Sequence, residues 1–192
     1  MIGGTRFFER KEVKDMTAYF RVIHNPEDDV ALLRIVNYPA RGVGAKTIEK
    51  LQETALERRA PLFSVLAEGV EDENLPKKAR EGLAQFLALL DTIGELAKKR
   101  RLGEAARQLV EQLDMEKVLD RACQDRNEAS RRFGNVEEWV NAVAGYEADT
   151  PGANLEGFLE NVALMTEEKE EELEFQDEST VLMTVHSAKG LE

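Results

Sequence analysis

Val181-Leu-Met-Thr-Val-His-Ser-Ala-Lys-Gly-Leu-Glu192 reads as a buried strand running into a polar, glycine-bearing turn. Val181, Leu182, Met183 and Val185 make an almost continuous apolar run, the pattern of a strand covered on both faces in a parallel sheet. A lone strand cannot satisfy its backbone donors and acceptors. The one other strand candidate is Met1-Ile-Gly-Gly4, at the opposite end. Both ends are therefore expected to be short remnants of a single α/β lobe, and the stretch between them to be an inserted domain.

That stretch has helical period almost throughout. Glu12 to His24 places Val13, Met16, Phe20 and Ile23 on one face, and Asn25-Pro-Glu-Asp-Asp29 stops this helix and caps the next. A short helix follows through Val30, Leu33 and Val36, then one from Lys46 to Arg58 through Ile48, Leu51 and Ala55. Pro61 opens another short helix. Pro76 starts a long one reaching about Arg101, with Leu83, Phe86, Leu87, Leu90, Ile93 and Leu96 as its apolar stripe. Gly103 to Leu113, Met115 to Cys123 and Glu128 to Glu147 continue the series, with Trp139 as a core anchor. After the break at Thr150-Pro-Gly152, a last helix from Leu155 to Met165 leads into an acidic linker. The expected fold class is all-α or nearly so, a multi-helix inserted domain with strand remnants at both ends.

Composition limits the function classes. At 192 residues, 42% apolar and 33% charged, the chain is long and apolar enough to build one core, and no apolar run approaches the roughly 18 residues that span a bilayer. The single cysteine, Cys123, excludes an internal disulfide and suits a reducing, cytoplasmic setting. With His24 and His186 the only histidines, a metal centre or a Ser-His-Asp arrangement is not expected. No phosphate loop of the form G-x-x-x-x-G-K-[ST] occurs, so this chain by itself is not expected to bind or hydrolyse ATP. The net charge of −12 argues against nucleic acid only on average. Residues 1–60 carry 11 basic against 9 acidic side chains, whereas Thr166 to Glu178 alone holds eight acids against Lys169.

Pro39-Ala-Arg-Gly-Val-Gly-Ala-Lys-Thr-Ile-Glu-Lys-Leu51 is the sharpest internal motif. Two helices are joined by Gly42-Val43-Gly44, and glycines permit a tight turn with positive φ and close approach of another chain. The helix start behind them offers unpaired N–H groups and a positive dipole end. Val43 is placed to plug back between the helices, while Arg41, Lys46 and Thr47 flank the opening. Such a site holds a phosphate and reads no base. The bland alternative is a mere inter-helix turn. The motif resembles the helix-hairpin-helix of DNA-binding proteins that grip the duplex backbone without sequence preference.

Both ends resemble one family. Gly3-Gly4-Thr-Arg-Phe7-Phe8-Glu9-Arg10-Lys-Glu12-Val-Lys14-Asp15 is similar to the GG-x-x-FF-x-R-x-E-I-K-D stretch of UvrD/Rep/PcrA-type superfamily 1 DNA helicases, and Thr184-Val-His-Ser-Ala-Lys-Gly-Leu-Glu192 is similar to their motif V. Asn25-Pro-x-Asp28-Asp29, Arg34-Ile-Val-Asn37 and the glycine hairpin match in order, and Asn135-Val-Glu-Glu-Trp139 is a weaker echo. The resemblance implies the 2B subdomain (25–165), a piece of the second RecA-like lobe before it (1–24), an acidic hinge (166–180) and the motif V strand (181–192). It implies a parent that moves 3′ to 5′ on DNA using ATP and Mg²⁺, with DNA and its own motor lobes as partners. In that parent the hairpin would hold duplex, His186 and Arg10 would contact the single strand, and Gly190 and Glu192 would face the nucleotide. A competing expectation is a helical module that docks protein partners or the motor lobes.

Overall fold

The computed structural model describes residues 7–177, and among these all regular structure is helical. Nine helices follow one another: α1 (Lys11–His24), α2 (Asp29–Ile35), α3 (Ala45–Arg58), α4 (Leu62–Glu68), α5 (Lys77–Lys98), α6 (Leu102–Gln112), α7 (Met115–Ala122), α8 (Arg126–Asp149) and α9 (Leu155–Asp177). The strand candidates at residues 1–4 and 181–185 lie outside the described residues.

Helix α1 is the packing centre, in contact with α2, α5, α8 and α9. Its sequence shows one apolar face, yet Glu12, Asp15, Thr17 and Tyr19 are buried as well. Buried polar groups need partners: Glu12 and Thr17 find them on α8, Asp15 finds Arg34 of α2, and the Tyr19 hydroxyl meets Tyr38 and Arg41 of the α2–α3 connection, while Lys11, Lys14 and Arg21 form the exposed edge of the helix. Trp139 of α8 is fully buried, its ring edge-on to Phe20 at 5.0 Å and its Nε1–H donating to Thr17 Oγ1 at 3.2 Å. Phe158 of α9 closes on Phe20 and Tyr146. Residues 11–24, expected as part of a lobe piece at 1–24, pack directly on α2, α5, α8 and α9.

Two expectations change. Helix α2 buries Ala31, Leu32 and Ile35, with Val36 behind them, while Val30 is 77% exposed and Leu33 only half-buried. In so short a helix nearly every position is apolar, so periodicity selects no face. The Asp28 side chain, which accepts the Ala31 N–H at 3.0 Å and pairs with Arg21, sets the entry instead. The other change is the acidic segment expected as a linker from residue 166. Helix α9 runs unbroken to Asp177. Glutamates repel one another but are good helix formers, and the segment contains neither glycine nor proline to end the helix.

Candidate nucleic-acid interface

The connection from α2 to α3 is organised by one side chain. Asn37 Oδ1 accepts the N–H groups of Arg41 at 2.8 Å and Val43 at 3.2 Å, folding residues 37–43 into a closed turn after the cis Tyr38–Pro39 peptide. Gly42 adopts φ +81°, a conformation that side chains disfavour. Val43 is fully buried, plugging the turn into the helix pair as its place between glycines suggests. Gly44 then enters α3 with extended backbone (φ −74°, ψ 167°).

The start of α3 has no side-chain cap and no acidic residue in its first turn. The Gly44 carbonyl accepts the N–H groups of Thr47 at 2.9 Å and Ile48 at 3.1 Å, and no described group accepts those of Ala45 and Lys46. Gly44, Ala45 and Lys46 are all exposed. The result is an open helix N-terminus, with partial positive charge and free donors. Lys46 forms no ion pair among the described residues, so its charge is available there.

The flanking residues divide. Arg41, expected at the mouth of the site, turns inward: Nη1 donates to the carbonyls of Ile35 (3.0 Å), Tyr38 (2.9 Å) and Pro39 (3.2 Å), and Nη2 donates to the Tyr19 hydroxyl. The guanidinium lies 5.3 Å from the centre of the Phe86 ring and 5.8 Å from that of Tyr19. Its Nη groups tie the end of α2 to α1, and the guanidinium packs against Phe86 of α5. The Tyr19 hydroxyl also donates to the Tyr38 carbonyl, and burial pushes its pKa up to about 12 despite the adjacent Arg41. Thr47 is only 8% exposed, on the inner side of α3.

Helix α5 contributes what sequence reasoning missed. A Cβ added to Gly42 would stand 2.6 Å from Cγ of Lys78 and 3.0 Å from its Cδ and Cε, and one added to Gly82 would meet the Arg41 carbonyl at 2.2 Å. The first turns of α5 therefore lie against the hairpin, with the Lys78 stem along Gly42. Nothing in the order of residues signals this pairing, apart from the glycine within an otherwise apolar helix stripe.

Arg10 sits at the N-cap of α1, where Nη1 donates to Asn135 Oδ1 and lies 3.8 Å from Glu138 Oε2, with the guanidinium over Phe7. Beside it Glu12 accepts from Asn135 Nδ2 at 2.5 Å and from Arg132 Nε at 3.0 Å. Burial raises the Glu12 pKa, but these hydrogen bonds, one from its own backbone and the Arg132 charge together hold it below the usual value. Asp15 is different: burial pushes it up, and Arg34 at 2.7 Å offsets only part, leaving Oδ2 without a partner. The Asn135 to Trp139 echo and the Phe7 to Asp15 motif are thus the two halves of one α1–α8 contact. His186, Gly190 and Glu192 lie outside the described residues.

No group of three or more His, Cys, Asp or Glu among the described residues is placed to hold a metal ion, and the chain has no phosphate loop. No helix among the described residues is long and apolar enough to cross a membrane.

Comparison with known proteins agrees with the motifs. The family model described as UvrD-like helicase C-terminal domain matches residues 1–192. The chain is 34% identical over 194 residues to the ATP-dependent DNA helicase PcrA of Staphylococcus epidermidis, covering 100% of this chain and 26% of the relative. It is 33% identical over 194 residues to PcrA of Staphylococcus aureus, with the same coverage. The chain spans about a quarter of the length of the curated relatives it matches. It belongs to the UvrD-like helicase C-terminal domain family.

Proposed function

We propose that this chain is the duplex-binding, regulatory 2B subdomain of an ATP-dependent 3′ to 5′ DNA helicase, joined to pieces of the second RecA-like lobe. The observation that carries the reading is the hairpin: Gly42 at positive φ, Val43 buried, and an open, uncapped α3 N-terminus with an exposed Lys46 that has no ion-pair partner among the described residues. In this helix-hairpin-helix, the free N–H groups of Ala45 and Lys46 bind a phosphate of the duplex ahead of the junction, and Arg41 keeps the turn in shape from behind. Arg10 and His186 would meet the single strand, and Gly190 and Glu192 the nucleotide, once the motor is complete. The packing of α1 favours placing the boundary with the lobe before residue 11 rather than at residue 24. Residues 166–177 extend α9 as a helical stalk.

The test is salt-dependent binding of a duplex with a 3′ single-stranded tail, followed by fluorescence anisotropy. Binding is weak, independent of sequence and steeply weakened by salt. Gly44→Glu combined with Lys46→Glu places two carboxylates at the phosphate position and abolishes binding. Unchanged affinity in that variant removes the hairpin from the reading.

A second reading, docking of a protein partner or the motor lobes, has some support. Val30 and Leu56 are 77% and 81% exposed, and an open cleft of about 700 Å³ between α1, α5 and α9 is floored by Val22, Ile23, Leu87 and Leu90. No DNA binding at low salt, together with capture of a defined protein partner, would favour it.

A further inference from the structure

We infer that Lys78 of α5, and not Arg41, supplies the second side-chain cation that holds the duplex phosphate at the glycine hairpin. This rests on the DNA-binding reading above and names a residue of that site which neither the hairpin motif nor the spacing around it contains.

Three observations lead there. The methylene stem of Lys78 from Cγ to Cε follows Gly42 so closely that a Cβ on Gly42 would overlap it. The ammonium, one bond beyond Cε, is therefore held beside the hairpin rather than free over the whole solvent sphere of an exposed lysine. This limits the rotamer freedom that phosphate binding would otherwise remove. Next, Lys78 is exposed and forms no ion pair among the described residues, whereas its neighbour Lys77 lies 3.8 Å from Glu81, and Lys50 lies 3.7 Å from Asp72. Finally, Arg41 has no Nη group without an internal acceptor, so the residue that the linear motif offers for the phosphate is already engaged. The structure replaces it with a lysine from a helix that starts more than thirty residues later in the chain.

The position of α5 is not incidental. Gly82, one turn further on, allows that helix to touch the Arg41 carbonyl, so hairpin and helix are in direct contact. Lys46 opens α3 directly after Gly42-Val43-Gly44, and the Lys78 stem from the front of α5 lies against Gly42. A lysine is a compact point charge on a flexible stem, suited to a phosphate whose position varies between sequences.

The experiment compares Lys78→Gln, Lys46→Gln and Lys99→Gln for binding of a blunt duplex across a salt series. Lys99, at the opposite end of α5 and exposed, controls for loss of one positive charge. Lys78→Gln is expected to weaken binding by about three- to tenfold and to lower the slope of log affinity against log salt by about one, as Lys46→Gln does. Lys99→Gln leaves both unchanged, and Lys78→Arg keeps the slope. Circular dichroism melts of each variant confirm an intact fold. If Lys78→Gln keeps the parent's affinity and slope while Gly44→Glu with Lys46→Glu abolishes binding, Lys78 is overturned and the hairpin stands. If neither changes binding, both readings fall together.

Discussion

Gly42 has φ +81° with the Lys78 stem against it, whereas Gly44 has extended backbone and open space where a Cβ would be. The fold needs the first glycine. The second is needed only by something that comes close from outside. Gly42→Ala is accordingly expected to cost about 1–2 kcal/mol from the left-handed backbone alone, read as a lower urea midpoint. Gly44→Ala, which loses only a favourable cap residue, costs less while still weakening duplex binding. Truncating Arg41 to Ala leaves the Pro39 carbonyl and the Tyr19 hydroxyl oxygen without a donor and removes one of two donors from the Ile35 and Tyr38 carbonyls, lowering stability by about 1–3 kcal/mol in urea denaturation. A single ammonium cannot reach those acceptors together, so Arg41→Lys recovers only part of the loss. From the sequence the two glycines look equivalent and Arg41 looks like a ligand, because a linear motif gives neighbours but not the direction in which a long side chain turns.

Among the elements, the α1–α8 contact is held by a carboxylate on one helix and its donors on the other. Glu12 has a folded pKa below its ordinary 4.5, so its ionised form is favoured in the native state. The stability it contributes is complete above its unfolded pKa and is lost as pH falls through the lower, folded value. Asp15 has the opposite sign: its folded pKa is raised above 3.8, so the cost of its burial is greatest above the folded value and is relieved as pH falls towards 3.8. Glu12→Gln should therefore lower the urea midpoint at pH 7 and flatten its decline at acid pH. Asp15→Asn, which can still accept from Arg34, should leave the midpoint at pH 7 equal or higher. The positions of helix starts were legible at this scale, since Pro76, Asn25 to Asp29 and Thr150 to Gly152 act locally. The face of α2 and the continuation of α9 to Asp177 were not. In the one case most positions are apolar and periodicity selects no face, and in the other a run of acids marks a solvated segment without saying whether glutamate's helix propensity carries the helix through it.

For the molecule as a whole, part of the family motifs among the described residues lies inside. Phe7, Phe8, Glu12 and Asp15 are buried, Trp139 closes over α1, and Asn37 shapes the hairpin. Their spacing along the chain was readable, but their pairing was not, because the partners stand on helices far apart in sequence: Glu12 with Asn135, Arg41 with Tyr19, and Gly42 with Lys78. In the hairpin, Gly42, Gly44, Ala45 and Lys46 are exposed with Lys78 beside Gly42, and there the claim of duplex binding is most open to contradiction. The direct measurement is an amide NMR titration of the ¹⁵N-labelled chain with a short blunt duplex at low salt, repeated at high salt. The account predicts that the amides of Gly42, Gly44, Ala45 and Lys46 shift first and most, that those at the start of α5 follow, and that raising the salt reverses the shifts. Shifts concentrated on α6 to α8, or no shift at the hairpin when the duplex is bound, would contradict it.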